Sequence, residues 1–382
     1  MSKKRPTLNL LLNDIFSQYI DSSPTDLSQI YIRKTNSDIG YIFKENVGFI
    51  LNEIRKNFFN HVKINQSNLY NIILESIVNN ISDSSFDSKN AEKIIHTIVN
   101  GINSKKKTIA FPISNISVKR NRNFFEYQVA PVDYIKEKFP TMKVSTESTF
   151  IYTEDYGDLK YLYDFHERRI ESRIAYLNFL IWPINRISMI QVASHYDIEF
   201  KKAIYSDNGG RSSQDLVSHK FKTHSIESIL KDQGIKNYYN FMSKNSDISS
   251  LIFSALTWYN ETLKPVSNET KILSLFTALE NLYSIDHIPF SSGDKAVNIT
   301  CLIISKNINS KSSLYKELDN LRNIRNSLIH YNAFSKISSD EVTELCDFVH
   351  KIIEHVLVFI KENRITTKRA FSKKILELLL DT

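Results

Sequence analysis

The chain has 382 residues, 42% apolar and 24% charged, which suggests two or three domains and excludes a wholly disordered polymer. Only 8 Gly and 8 Pro exclude collagen-like, linker-like and most turn-dense all-β chains, and neither a G-x-G-x-x-G nor a G-x-x-x-x-G-K-[ST] phosphate loop occurs. A net charge of +7 is compatible with a nucleic-acid partner without requiring one.

Residues 1–105 read as a helical region. Phe49, Ile50, Ile54, Phe58 and Val62 keep helical spacing, as do Leu69, Ile72, Ile73, Ile77 and Ile81. A further helix is expected over 90–102. The basic start, Lys3-Lys4-Arg5, resembles a secretory leader, but Asn9, Asn13 and Asp14 break the apolar stretch behind it, so no signal peptide is expected. Lys105-Lys106-Lys107 marks the first boundary.

Over 106–212 the period changes. Ile109, Phe111, Ile113 and Ile116 sit in a Pro- and Ser-punctuated stretch, and Phe124, Tyr127 and Val129 alternate imperfectly with polar residues. Phe150 to Thr153, the β-branched and aromatic run around Ile174 to Ile190, and Tyr196 to Phe200 read as further strands, closed by Asn208-Gly209-Gly210. The region is therefore expected to be mixed α/β. Its longest apolar stretch, Ile174 to Ile184, contains Asn178 and Pro183, so no membrane span is expected.

Residues 213–382 read as a helical domain, and the whole protein as mainly α. Helices are drawn at 213–231, 247–263, 268–284, 294–307, 312–330, 338–363 and 368–380, with Ser338-Ser339-Asp340 as an N-cap cluster. Two cysteines, Cys301 and Cys346, make neither a disulfide framework nor a C-x-x-C pair, which points to a reducing, cytoplasmic setting.

The informative helix is 312–330. At about 100° per residue, Leu314, Leu318, Leu321 and Leu328 share a stripe about 80° wide, and Arg325 lies inside it. A guanidinium in an apolar stripe needs a carboxylate, a polar site or another chain to face, because burying an unpaired charge costs several kcal/mol. Arg322 sits on the rim and is expected to snorkel to water. His330 follows five residues after Arg325, about 140° around and about 7.5 Å along the helix, so the two diverge unless the helix ends near Ile329. Taken alone, these residues fit a helix-end histidine plus a buried, ion-paired arginine. On the 268–284 helix, Glu280 flanks the Ile272, Phe276, Leu279 and Tyr283 stripe by about 60–80°, which puts it either beside Arg325 or in solvent.

Arg325-Asn326-Ser327-Leu328-Ile329-His330 resembles the Arg-x4-His signature of the HEPN superfamily, all-α domains that often act as ribonucleases. Leu256 to Asn260, Leu275 to Tyr283 and Leu318 to Asn332 are similar to the Apea-like HEPN family, and the resemblance covers roughly residues 215–365. It implies a metal-independent, cofactor-free endoribonuclease that dimerises so that two motif helices face one another. By that resemblance Arg325 binds the scissile phosphate, His330 is the general acid or base, and Asn326 orients them, with Glu280 and Tyr331 in support. The 2′-hydroxyl of RNA is then the nucleophile. Apea-like relatives are associated with antiviral defence through abortive infection, so the resemblance implies a toxin-like effector, its phage-derived trigger or inhibitor unidentified. The alternative is a non-catalytic helical dimer that binds RNA or protein in a regulatory role.

Elsewhere, His219 and His224, like His350 and His355, lack the i, i+4 spacing of a helical metal site, and the latter two, on an apolar helix, read as structural. His166-Glu167 is followed by Ile170 where a zinc helix needs His. Lys119 to Arg122 precedes Phe124 and Phe125, an arrangement able to hold a phosphate and stack a base, though such runs are more often solvated surface. Lys361, Arg364, Lys368, Arg369, Lys373 and Lys374 form the best RNA-facing cluster, since they follow the 338–363 helix that packs beside the motif helix.

Overall fold

A computed structural model describes the protein apart from residues 1–6, 18, 21–29, 34–39, 44–46, 83–84, 141–148, 182–189, 193–203, 207–223, 244–245, 265, 306–307, 332–336 and 381–382. Among the described residues the chain is mainly α, with fourteen helices and thirteen short strands. In order it forms α1 (Leu8–Phe16), β1 (Tyr19–Ile20), β2 (Ile30–Arg33), β3 (Gly40–Phe43), α2 (Val47–Phe58), α3 (Gln66–Val78), β4 (Ile81–Ser82), β5 (Ser85–Phe86) and α4 (Ser88–Ser104). Next come β6 (Lys106–Ser114), β7 (Ile116–Ser117), β8 (Arg122–Phe124), β9 (Tyr127–Pro131), α5 (Val132–Lys138), β10 (Thr149–Tyr156), α6 (Leu159–Ile181), β11 (Gln191–Val192) and β12 (Ile204–Ser206). The remainder is β13 (His224–Ser225), α7 (Ile226–Ile229), α8 (Gln233–Met242), α9 (Asp247–Glu261), α10 (Asn268–Leu282), α11 (Ser292–Ile304), α12 (Ile308–Tyr331), α13 (Ser339–Glu362) and α14 (Lys368–Leu380). No described helix is long and apolar enough to cross a membrane.

The chain divides into two compact units, where the sequence reading drew three regions with boundaries at 105/106 and 212/213. The first comprises Met1–Ala110, Thr153–His166 and Ala203–Ser212. Its core is the inward face of α1 to α4, where Leu12, Ile15, Leu51, Ile54, Leu69, Ile73, Ala91 and Ile95 are buried. The helical spacing read from the sequence is this face. Strands β1, β3 and β2 form an antiparallel sheet in that order, in a region expected to be helical throughout. Ile30-Tyr31-Ile32 and Tyr41-Ile42-Phe43 have strand composition but are too short to show a period.

At the start of α6, Asp158 Oδ2 accepts from the Tyr161 N–H at 3.2 Å and from Asn68 Nδ2 at 3.0 Å, which ties α6 to α3. Asp155 accepts from Lys63 Nζ at 2.7 Å on both oxygens, and His166 Nε2 lies 3.2 Å from it. Burial raises the Asp155 pKa, but the Lys63 hydrogen bonds, the Tyr156 N–H and the nearby positive charges outweigh it and hold the carboxyl below its ordinary value. Between them Gly157 adopts φ +146°, and a Cβ there would stand 2.6 Å from the Lys63 carbonyl oxygen, so only glycine fits.

The second unit comprises Phe111–Tyr152, Glu167–Lys202 and Ser213–Thr382. Its sheet runs β11-β6-β10-β9-β8, with β8, β9 and β10 antiparallel. Helices α9 to α14 share one core with the C-terminal half of α6: Tyr176 and Phe179 lie among Leu256, Tyr259, Phe276, Leu279, Leu321 and Ile353. The run from Ile174, expected to be a strand, is helical through Ile181, and its remainder to 189 lies outside the described residues. Every residue from Arg173 to Phe179 is buried, and a helix buried all round shows no 3.6-residue period. The expected strand at 196–200 and helix residues 213–223 also lie outside the described residues.

Serine caps fix where the helices of this unit begin. Ser246, Ser267 and Ser291 each accept an N–H of the following turn, and Ser338 with Glu341 completes a capping box on α13. Helix α8, absent from the sequence reading, carries Gly234 in its first turn, although Ile235, Tyr238 and Met242 keep helical spacing.

One arginine is deeply embedded. Arg173 donates from Nε and Nη2 to the two Glu126 carboxylate oxygens at 3.2 and 2.9 Å, and its guanidinium lies 3.6 Å from the centroid of the Phe253 ring. Phe125, at φ +52° in the β8–β9 turn, packs its ring on Tyr176, Tyr239 and Phe253, while Phe124 is buried. Neither ring is left to stack a base, which corrects that expectation for the 119–125 cluster. We predict that Glu126→Ala, which strands Arg173, lowers the unfolding free energy by about 2–4 kcal/mol in urea titration. Arg173→Met, which removes the charge and keeps the packing, should cost less than half as much.

His350 gives the fold an acid limit. Its ring stacks on Phe179 at 4.2 Å, and Nδ1 lies 3.3 Å from the Tyr259 hydroxyl. Burial pushes its pKa down to about 4, with Asp347 pulling weakly the other way. The unfolded chain, with an ordinary histidine pKa of about 6.5, then binds more protons than the folded one between these values. This contribution is complete above about pH 6.5, is lost as pH falls, and levels off below pH 4. Between pH 7 and 4.5, His350→Phe should lose about 2–3 kcal/mol less stability than the unsubstituted protein.

Candidate active site

The candidate site is built on α12, which runs unbroken from Ile308 to Tyr331. Leu318 and Leu321 are buried and Leu314 and Leu328 half-buried, so the stripe read from the sequence faces the core. Arg325 sits in that stripe with its side chain 24% exposed, and Glu280 of α10 with 14%. Arg325 Nη2 donates to Glu280 Oε2 at 3.1 Å, and Nη1 donates to Asn326 Oδ1 at 3.0 Å. Phe276, one turn before Glu280, presents its ring 5.5 Å from the guanidinium. The arginine is thus neutralised by one helix and oriented by its own neighbour. A guanidinium has five N–H donors, so this leaves capacity for an incoming oxyanion.

Arg322 departs from the expectation of a snorkelling side chain. It is half-buried and donates to both Asp294 of α11 and Asp319 one turn earlier on α12. Asp294 stands in the first turn of α11, where Ser291 Oγ donates to its Oδ2 at 2.6 Å and the helix dipole favours its charge. Asp319, at i, i+3, could have been paired with Arg322 from the sequence, whereas Asp294 comes from another helix and no spacing announces it.

His330 is exposed, on the same unbroken helix. Five residues of regular helix turn it about 140° from Arg325, and the helix does not end at Ile329 to bring them together. One chain therefore assembles Arg325, Asn326 and Glu280, and leaves its own His330 on the opposite flank of α12. The Tyr331 side chain lies outside the described residues, as does Asn332.

The C-terminal basic residues are not equivalent. Lys374 donates to Glu377 at 3.0 Å, and Lys361 Nζ sits 4.7 Å over the Tyr238 ring. Arg364 is exposed at φ +54°, just past the end of α13. The Lys368 N–H is taken by Asp247 Oδ2 at 2.8 Å. Arg369 and Lys373 are exposed and line an open cleft with His287. Among the described residues no three His, Cys, Asp or Glu side chains cluster as metal ligands would. Cys301 and Cys346 are buried, and burial pushes the Cys301 thiol up to about 11, which makes it a poor nucleophile.

Removing Glu280 tests whether the pair holds α10 to α12. Glu280→Ala leaves a guanidinium in an apolar stripe, and urea titration should show a loss of about 2–3 kcal/mol, with Glu280→Gln losing less than half of that. A loss below about 0.5 kcal/mol for Glu280→Ala would mean that the pair contributes nothing. Compared with protein-family models, curated proteins and solved structures, the chain matches none.

Proposed function

We propose that the protein is an RNA-cleaving effector of the HEPN, Apea-like type, with its chemistry centred on Arg325. The observation that carries this reading is the half-buried guanidinium, aimed by Glu280 and Asn326 from within an apolar stripe. Arg322, equally exposed on the same helix, gives its guanidinium to two carboxylates, whereas Arg325 meets one carboxylate and an asparagine. In the proposed reaction the RNA 2′-oxygen attacks its adjacent phosphorus, the 5′-oxygen leaves, and a 2′,3′-cyclic phosphate forms. Arg325 stabilises charge on the equatorial oxygens, and His330 exchanges the proton. Because Arg325 and His330 diverge on one α12, the reading requires a homodimer in which each site takes His330 from the partner.

A second reading is favoured by one observation: Glu280 already neutralises Arg325, as it would in a binding module without turnover. The two separate in one experiment. Purified full-length protein incubated with total RNA in EDTA should generate 2′,3′-cyclic ends, and Arg325→Ala or His330→Ala should lower the rate at least 100-fold. Mixed dimers of Arg325→Ala and His330→Ala chains should regain one working site. Activity that disappears in EDTA and returns with Mg²⁺ would refute the metal-independent mechanism. A binder would give no cleavage, and its overexpression would be tolerated with or without Arg325.

A further inference from the structure

An open cleft of about 480 Å³ lies where α14 meets the loop after α10, lined by His287, Thr367, Arg369, Ala370, Ser372, Lys373 and Leu376. Its chemistry is one-sided. Three of these side chains carry basic nitrogen and none is acidic. Arg369 and Lys373 stand at i, i+4 on one face of α14, a spacing at which like charges repel. Among the described residues neither has a carboxylate partner, whereas Lys374, next in sequence, is held by Glu377 at 3.0 Å. An uncompensated pair of cations at a concave surface is an arrangement that a stable helix does not need.

The wall opposite α14 is held in place. Ser372 Oγ donates to the Asp286 carbonyl at 3.0 Å, which fastens the loop to the helix beside His287. His287 itself has φ +66°, a left-handed conformation uncommon for a residue with a side chain. The first N–H groups of α14 do not supply the attraction. The Lys368 N–H is occupied by Asp247, and the Ala370 N–H by Thr367 Oγ1 at 3.1 Å. Any anion is therefore drawn by Arg369, Lys373 and His287. The volume exceeds what a bare phosphate fills and falls within the range of small-molecule sites, and Ala370 and Leu376 give it an apolar wall.

We propose that this cleft binds a nucleotide, its phosphate on Arg369 and Lys373 and its sugar or base against Ala370 and Leu376. The nucleotide is either free or one residue of a single-stranded RNA, and both sources present the same phosphate. The site is separate from Arg325 and stands whether or not RNA is cut there.

The test is equilibrium binding to the full-length protein of AMP, and of a fluorescein-labelled 2′-O-methyl 12-mer that offers no 2′-hydroxyl for cleavage. Three variants are compared: Arg369→Gln with Lys373→Gln, Ala370→Phe, and Lys374→Gln. The double variant should weaken binding at least tenfold and flatten the salt dependence of the 12-mer by about 0.7, the share of one phosphate no longer neutralised. Ala370→Phe, which fills the cleft and keeps the charge, should also weaken binding at least tenfold, and Lys374→Gln less than twofold. If AMP and the 12-mer both respond, the site takes free nucleotides. If only the 12-mer binds and responds, it takes a residue within a strand. No binding of either, no response to the double variant, or a response to the double variant but not to Ala370→Phe would overturn the proposal. RNA cleavage that depends on Arg325 is read separately, so failure here leaves that reading standing.

Discussion

A guanidinium cannot leave water alone, and the second unit is organised around that constraint. Arg173 enters the core from α6 and Arg325 from α12, each accompanied by a carboxylate and a phenylalanine ring. The carboxylate comes from a different element in both cases: Glu126 from the β8–β9 turn and Glu280 from α10. Each pair therefore fixes how two elements approach, and each is sensitive to the loss of one partner more than to the loss of both. The difference lies in what remains. Arg173 is 7% exposed and shares Glu126 with Arg169, whereas Arg325 keeps 24% of its side chain accessible beside an asparagine. Similar physics leaves the first group enclosed and the second partly open to solvent.

Helices α9 to α14 were legible in the sequence because they are amphipathic, and α9, α10, α11 and α13 also begin behind a serine cap. A 3.6-residue stripe and a serine before the first turn suffice to place such an element to within a few residues. Helix α6 was illegible for the opposite reason, since Ile174 to Phe179 meets protein on every side and its β-branched and aromatic residues imitate a strand. Arg325 stood out because a charge interrupting a stripe is a local anomaly. Its pairing with Glu280 was within reach because both residues had assignable faces on neighbouring helices.

The groups that were missed depend on contacts across long stretches of chain. Asp294 reaches Arg322 from 28 residues away, and Glu126 reaches Arg173 from 47. His166 was weighed as a zinc ligand because of Glu167 beside it, yet it faces Asp155, which also holds Lys63 from 92 positions earlier. No periodicity encodes such meetings. They follow from where the elements stop and which faces they bury. The cleft under His287 was hidden for the same reason, because a loop histidine and two helix cations share no pattern until α14 folds back.

The continuity of α12 also acts as a ruler. On an unbroken helix Arg325 and His330 stand about 7.5 Å apart along the axis and about 140° apart around it, and no side-chain rotation changes either value. If two such helices cross antiparallel about a two-fold axis, Arg325 of one lies opposite His330 of the other only when the axis passes between Ser327 and Leu328. The face turned toward the axis is then the one bisecting the two directions, which carries Arg322, Asn326 and the half-exposed Ile329, with Arg325 and His330 flanking it by about 70° on either side. Moving the axis by one residue along the helix moves each matched pair two positions out of phase. Inserting or deleting a single residue between 325 and 330 would therefore change which atoms meet across the axis, and one placed before Leu328 would also turn that side chain about 100° away from the core stripe.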